Sequence, residues 1–376
     1  MNEDQFICIS YFKPFVSKFD SSRGFFVSGF LVWGMGKPQD SIKSNVVGGV
    51  IHESPAEGIL VPGDKILKVD GDPVDWYVGK VFDDIRTRIM LTKGDTIEFE
   101  IERDGKVMVV NTEFDIRETG LFQRRALPDP GITAPGPAII GSLAGGKGES
   151  PAEKAKLEVG DQILKVNGKE VFGTYHVSQL IRDNQYKTST FTLRRGDDVL
   201  EIEVTPVKPK GDAYKDPMVG IAWDRRAGVD TEITYPNPWE QVRDSLRTMW
   251  MTIKVISSPD SNIGPDQLAG PVGIARTKFL LLQEEHGWLR VLAFFVLFNV
   301  NLAVLNMLPL PVLDGGHIVM AILESVRGKP LPARFLEMIQ GGFALLLMGF
   351  MLYITTKDLG DIFSGGSEAP RLEWPE

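Results

Sequence analysis

The sequence predicts a multidomain chain in which two tandem modules, mainly β with some helix (α+β), precede an α-helical membrane module. Three observations predict it. A segment of the chain recurs at a spacing of roughly a hundred residues, a period that fits tandem domains rather than a solenoid. Each copy carries β-type alternation closed by Asx-Gly turns. Two long uncharged apolar runs are confined to the C-terminal third. The 376 residues carry 41 Lys and Arg against 50 Asp and Glu, a net charge of −9, which argues against nucleic acid as a partner because phosphate neutralisation needs a basic surplus. A single cysteine, Cys8, excludes an internal disulfide framework and a multi-cysteine zinc ribbon.

Taken in order, residues 1–23 form an unassigned N-terminal tail with no basic segment leading into an apolar one, so a cleavable signal peptide is not evident. Residues 24–40 contain a thirteen-residue apolar run, Gly24 to Gly36. As a helix it is about 20 Å long, short of the ~30 Å hydrocarbon core. It reads as the remnant of a longer membrane helix, with a membrane-surface segment as the alternative. The first module is expected over 41–130 and the second over 131–226. Ser54-Pro-Ala-Glu-Gly-Ile-Leu-Val-Pro-Gly-Asp-Lys-Ile-Leu-Lys-Val-Asp-Gly71 returns, with one inserted residue, as Ser150-Pro-Ala-Glu-Lys-Ala-Lys-Leu-Glu-Val-Gly-Asp-Gln-Ile-Leu-Lys-Val-Asn-Gly168. Each copy predicts a helix start at Ser-Pro-Ala, a Gly-Asp turn, a short strand and an Asx-Gly hairpin. Paired strands follow, Thr96–Glu102 with Val107–Phe114 and Thr190–Arg194 with Val199–Val207.

Residues 236–286 begin with Trp239, Val242, Leu246, Met249, Trp250, Ile253 and Ile256 at three- and four-residue steps, an amphipathic helix expected on the bilayer surface or packed on a β module. Residues 287–363 hold the two apolar runs, Val291–Leu308 and Met338–Ile354, expected as two transmembrane helices. Arg327, Lys329 and Arg334 lie between them, which places that connection on the cytoplasmic side. Residues 364–376 are a tail.

The Ser-Pro-Ala…Leu…Gly-Asp…Ile-Leu…Val-Asn-Gly pattern resembles the PDZ domains of bacterial envelope proteases, so the fold class becomes two tandem PDZ-like domains followed by the membrane module. The resemblance implies small β-barrel-like folds that bind extended peptides by strand addition. It also implies a carboxylate-binding loop at a Gly–hydrophobic step, for which Gly120 and Leu121 in the first copy and Gly220 and Ile221 in the second are the candidates, with ordinary edge strands as the other reading.

The chemistry lies in Asn301-Leu-Ala-Val-Leu-Asn306-Met-Leu-Pro309-Leu-Pro311-Val-Leu313-Asp314-Gly315-Gly-His317. An aspartate at the end of an apolar helix is costly unless paired, hydrated or bound to metal, and the two prolines free carbonyls that protein must satisfy. This run resembles the Asn-x-x-Pro-x-Pro-x-Leu-Asp-Gly signature of site-2 proteases, the intramembrane zinc metalloproteases, and the module order resembles their regulator-of-sigma-E-type branch, as does Leu268-Ala-Gly-Pro-Val-Gly-Ile274. The resemblance implies that Asp314 is a zinc ligand, that Asn301 and Asn306 position the substrate backbone, and that Pro309, Pro311, Leu313 and Gly315 shape the motif. It implies a multi-pass protein of the plasma (inner) membrane with extracytoplasmic PDZ domains. Its partners are the lipid bilayer and a transmembrane or membrane-proximal peptide substrate, an anti-sigma factor or remnant signal peptides.

One element of the family pattern is absent. Zinc hydrolysis needs His-Glu-x-x-His on a helix, two imidazole ligands one turn apart and a glutamate base. The four histidines stand at 52, 176, 286 and 317, and no two are four apart. Three expectations follow: an N-terminally incomplete protease, a non-catalytic membrane-anchored PDZ peptide-binding protein, or the C-terminal half of a split enzyme. In each, the chain alone is expected to lack protease activity and stoichiometric zinc.

Overall fold

The computed structural model describes residues 27–79, 83–114, 123–144, 149–210, 216–259, 261–329, 331–364 and 373–375. A short helix, α1 (27–35), ends where Gly36 takes φ +82°, and its Val32 packs against Val296 and Val300 of a later helix. A Cβ on Gly36 would lie 2.2 Å from the Ile233 side chain, so glycine serves both the turn and the close approach. Strand β1 (Lys37–Ser41) follows at once and pairs antiparallel with β14 (Asp230–Thr234), so the chain entering the β region is stitched to the chain leaving it.

The first module contains β2 (Gly49–Val50), β3 (Lys65–Val69), β4 (Asp72–Pro73), α2 (Ile85–Leu91), β5 (Thr96–Arg103), β6 (Lys106–Glu113) and β7 (Ile132–Thr133). Its sheet runs β4-β3-β5-β6, and β2 pairs with β7. Alternation along β5 buries Ile97, Phe99 and Ile101, which pack with Ile66, Val69 and Ile85. β7 returns antiparallel to β2, Gly49 opposite Thr133 and Val50 opposite Ile132. The second module contains β8 (Ala138–Leu143), α3 (Pro151–Lys154), β9 (Gln162–Val166), β10 (Lys169–Glu170), α4 (Thr174–Asp183), β11 (Ser189–Arg195), β12 (Asp198–Val204) and β13 (Ile221–Trp223), in sheet order β12-β11-β9-β8-β13. Phe191 and Leu193 of β11 fill its core with Ile140, Ile163 and Val177.

The turns of the repeat recur with the same side-chain bonds. In each Gly-Asp turn a buried aspartate is held by one arginine. Arg103 reaches Asp64 at 2.7 and 2.6 Å, and Arg195 reaches Asp161 at 2.7 and 2.8 Å. The Asx-Gly turns match too, with Asp70 and Asn167 both in the left-handed region and each accepting a backbone N–H from the neighbouring strand. The Ser-Pro-Ala segments differ. Ser150 caps α3 with Glu153 in a capping box, whereas the first copy forms a turn instead of the expected helix. Gly58, at φ +80°, ends the helical path there, and the copy is one residue shorter.

Beyond β14 the chain is helical: α5 (Pro238–Ile256), α6 (Pro271–Gln283), α7 (Gly287–Asn306), α8 (Asp314–Arg327) and α9 (Ala333–Ser364). α7 and α9 are long and apolar enough to cross a membrane, and their apolar stretches are largely or wholly unburied, unlike core helices of a soluble fold. α5 turns Gln241 and Ser245 inward, the Gln241 amide donating to Gly29 O, and leaves Trp239, Leu246, Trp250 and Ile253 exposed.

Candidate functional site

α7 carries Asn301 and Asn306 and ends at Met307, where Pro309 and Pro311 forbid its continuation. The chain turns tightly, Leu310 N–H to Leu308 O at 2.7 Å and Leu313 N–H to Leu310 O at 2.9 Å, and α8 begins at Asp314. Gly315 and Gly316 are buried against this turn. A Cβ on Gly315 would lie 2.3 Å from Met307 O, and one on Gly316 would lie 2.0 Å from Leu310 O. Glycine is obligatory there for close approach, not for φ. The fold thus sets the Asp314 carboxylate in the first turn of α8, where the helix dipole favours negative charge. Asn301 Oδ1 is buried and, among the described residues, has no hydrogen-bond partner. A buried amide oxygen left in that state calls for a donor, such as an N–H of a bound backbone. Asn301 and Asn306 sit about 140° apart around one continuous helix, so the fold does not set them on a common face.

The residues present do not make a zinc centre. Among the described residues no group of three His, Cys, Asp or Glu side chains is placed to hold a metal, and a catalytic zinc takes three protein ligands. His52 Nδ1 lies 2.9 Å from Glu57 Oε1 on the first module, and His176 stacks on Phe172 in the second, where burial lowers its pKa, with Lys169 adding to the shift. His286 precedes α7 in the left-handed region, and His317 is exposed on α8.

Two polar joints fix the helices to the β region. Arg290, near the start of α7, donates to Asp40 of β1 at 2.8 Å; burial opposes ionisation of Asp40, but Arg290 and Thr231 outweigh it and hold its pKa low. At the far end of α9, Asp358 is fully buried and accepts from Gly270 and Gly273 N–H, so it caps α6 in trans. Arg124, from the segment between β6 and β7 of the first module, pairs with both Asp358 and Asp361 and donates to Leu268 O and Asp266 O. The Gly270-Pro-Val-Gly273 segment is therefore the N-terminus of α6 under a borrowed aspartate cap. Sequence reading flagged the loop but not Arg124 or Asp358, whose pairing spans more than two hundred residues.

In the second module, Gly220 has φ +84°, its carbonyl accepts from Ala144 N–H, and Val219 O accepts from Ala152 N–H; Ile221 opens β13. The same bonds in the first module run from Ile51 to Gly131 and from Ala56 to Pro130, so Gly131 holds in the first module the place Gly220 holds in the second. Gly120 and Leu121 lie outside the described residues. A cavity of about 280 Å³ borders Gly131, Ser54 and Leu127.

The sequence profile of peptidase family M50 matches residues 27–349. The chain is 28% identical to the regulator of sigma-E protease RseP of Escherichia coli K12, over 82% of this chain and 70% of that one. It is 31% identical, over 61% of this chain and 64% of the relative, to a protein of Rickettsia conorii whose name carries the words zinc metalloprotease. Against that second relative the chain spans just under two thirds of its length. Among solved structures, the PDZ domain of an SdrC-like protein from Listeria monocytogenes aligns with 24% of this chain and 87% of its own, at 22% identity and TM-score 0.19. With its profile matched over most of its length, this chain belongs to peptidase family M50, the site-2 proteases.

Proposed function

We propose that this chain supplies the PDZ-like pair and the C-terminal membrane module of an intramembrane zinc metalloendopeptidase that cleaves a transmembrane or membrane-proximal peptide. The observation that carries this reading is the turn from Asn306 to Gly316, which sets Asp314 at the head of α8, with the unpartnered Asn301 amide oxygen on the apolar helix before it. Asp314 is the carboxylate ligand; the imidazole ligands and the glutamate base come from outside these 376 residues. Asn301 and Asn306 hold substrate backbone, each from its own face of α7. α7 and α9 cross the inner membrane, α5 lies on it through its exposed tryptophans, and the β modules stand on the extracytoplasmic side, where they screen substrates such as an anti-sigma factor or remnant signal peptides. Without the missing ligands the chain hydrolyses nothing, which keeps a non-catalytic, membrane-anchored peptide-binding role as the second reading, favoured by a sequence in which no two histidines stand four apart.

The test is reconstitution. The chain is co-expressed with a membrane segment carrying His-Glu-x-x-His, and cleavage of a reporter transmembrane helix is followed. Asp314→Asn is expected to lower cleavage at least a hundredfold while leaving carbonate-resistant membrane insertion unchanged. Equal cleavage by the Asp314→Asn chain removes the ligand assignment. The chain alone is expected to bind less than a tenth of an equivalent of zinc, on the order of contamination, because a lone carboxylate is a poor site.

A further inference from the structure

The last described residues, 373–375, return to the second β module. Lys210 N–H donates to Glu373 O at 2.7 Å, an extended backbone pairing beside the loop that leads into β13. The next residue, Trp374, is 2% exposed and the largest of the fully buried side chains among the described residues. Its ring lies on Gly220. A Cβ built there would fall 2.8 Å from Trp374 Cζ2 and 3.1 Å from Cη2, and 2.6 Å from Cβ of Ser150. Gly220 is therefore bare on the side the indole covers, and any side chain would evict the ring. Trp374 Nε1 is buried with no partner among the described residues, so the indole is held for its apolar face. In the first module, the structural counterpart of this step, Gly131 beside Ser54, borders a cavity of about 280 Å³.

We propose that the Ser150–Gly220 step of the second module is a binding site for an extended peptide bearing a tryptophan, and that the chain's own Glu373-Trp374-Pro375 segment is its resident occupant. The tail blocks that site in cis, and an incoming peptide of the same chemistry engages only by displacing it. The inference rests on the reading of this module as peptide-binding; it does not depend on the assignment of Asp314. Eight residues, 365–372, join α9 to the segment, a reach of up to about 27 Å when extended.

The experiment compares the full chain with its Trp374→Ala variant, both in detergent micelles, by two measurements. Hydrogen exchange reads the cis contact: the Lys210 amide is expected to exchange at least tenfold faster in the variant, while the β11 and β12 amides stay protected, showing that the module remains folded. Fluorescence anisotropy reads the site, with a labelled synthetic peptide of residues 365–376 as the probe. The variant is expected to bind it at least tenfold more tightly than the intact chain, and a probe carrying the same Trp374→Ala change is expected to bind neither. Unchanged Lys210 exchange overturns the cis occupancy, whether or not the probe binds. Faster exchange with no probe binding to the variant overturns the peptide site and leaves the tail a structural clasp.

Discussion

At the residue scale, the repeated Asp–Arg pair explains why Gly-Asp recurs in both modules. Asp161 is buried and accepts from Arg195 and from Glu158 N–H. Burial pushes its pKa up, but the Arg195 hydrogen bond and the Glu158 amide outweigh burial and hold it below its ordinary value of 3.8. A depressed carboxyl contributes stability that is complete above its unfolded pKa and is lost as pH falls through the folded one. The second module should therefore lose stability as pH drops below about 4. Arg195→Ala strands a buried carboxylate and should cost about 2–4 kcal/mol at neutral pH, less in acid where the group is neutral. Urea unfolding at pH 7 and pH 3 checks both statements; an equal cost at the two pH values would count against the pairing. Gly220 was legible as a Gly–hydrophobic step, but its counterpart was not. Gly131 heads a two-residue strand enclosed by Pro130 and Pro135, too short to carry a period, so Glu118–Phe122 offered the stronger textual match.

At the element scale, α5 was legible as amphipathic, and its inward side mixes polar and apolar groups, with Val242 packed against the Val32, Val296 and Val300 cluster. The Gln241 amide meets α1 at Gly29 O and the buried Ser245 hydroxyl donates to Gln241 O, while Trp239, Leu246, Trp250 and Ile253 face outward as an unpaired apolar stripe. Such a stripe beside apolar helices fits an interfacial position. A nitroxide attached through Trp250→Cys should relax more with oxygen than with an aqueous nickel complex, and one at Arg247→Cys should show the reverse. Equal nickel access at both positions would remove α5 from the bilayer. α9 shows the complementary case. Its apolar run ends at Ile354, and the following turns enter protein through Lys357, Asp358 and Asp361, bound to Gln123 O, to the α6 N-terminus and to Arg124. A helix that reads as purely apolar in its middle thus ends in a polar socket.

At the scale of the whole molecule, the start of α7 and the end of α9 both attach to the β region, by Arg290–Asp40 and Arg124–Asp358, while exposed Arg327, Lys329 and Arg334 lie at the α8–α9 connection. Basic residues at that turn favour the topology proposed above, with the turn inside the cell and the β modules outside. In a Cys8→Ser background, a membrane-impermeant maleimide should label Lys187→Cys in cells with a permeabilised outer envelope and Lys329→Cys only after lysis. Labelling in the opposite order would invert the topology. The two modules touch backbone to backbone, since a Cβ on Gly173 would lie 2.8 Å from Gly48 O, and His52 N–H reaches the Tyr175 hydroxyl at 3.1 Å.

Local pattern by itself determined the repeated β modules, the apolar helices and the Asn-to-Asp motif, because turn chemistry, alternation and helix-length hydrophobicity are short-range properties written in neighbouring residues. Tertiary structure alone decided which glycine matches Gly220, that Arg124 and Asp358 join the first module to the last helix, that α5 packs through Gln241 and Val242, and that Trp374 returns to the second module. Each of those depends on residues far apart in the chain meeting in space, and the pairing energy of a buried charge or ring leaves no periodic trace in the sequence around it.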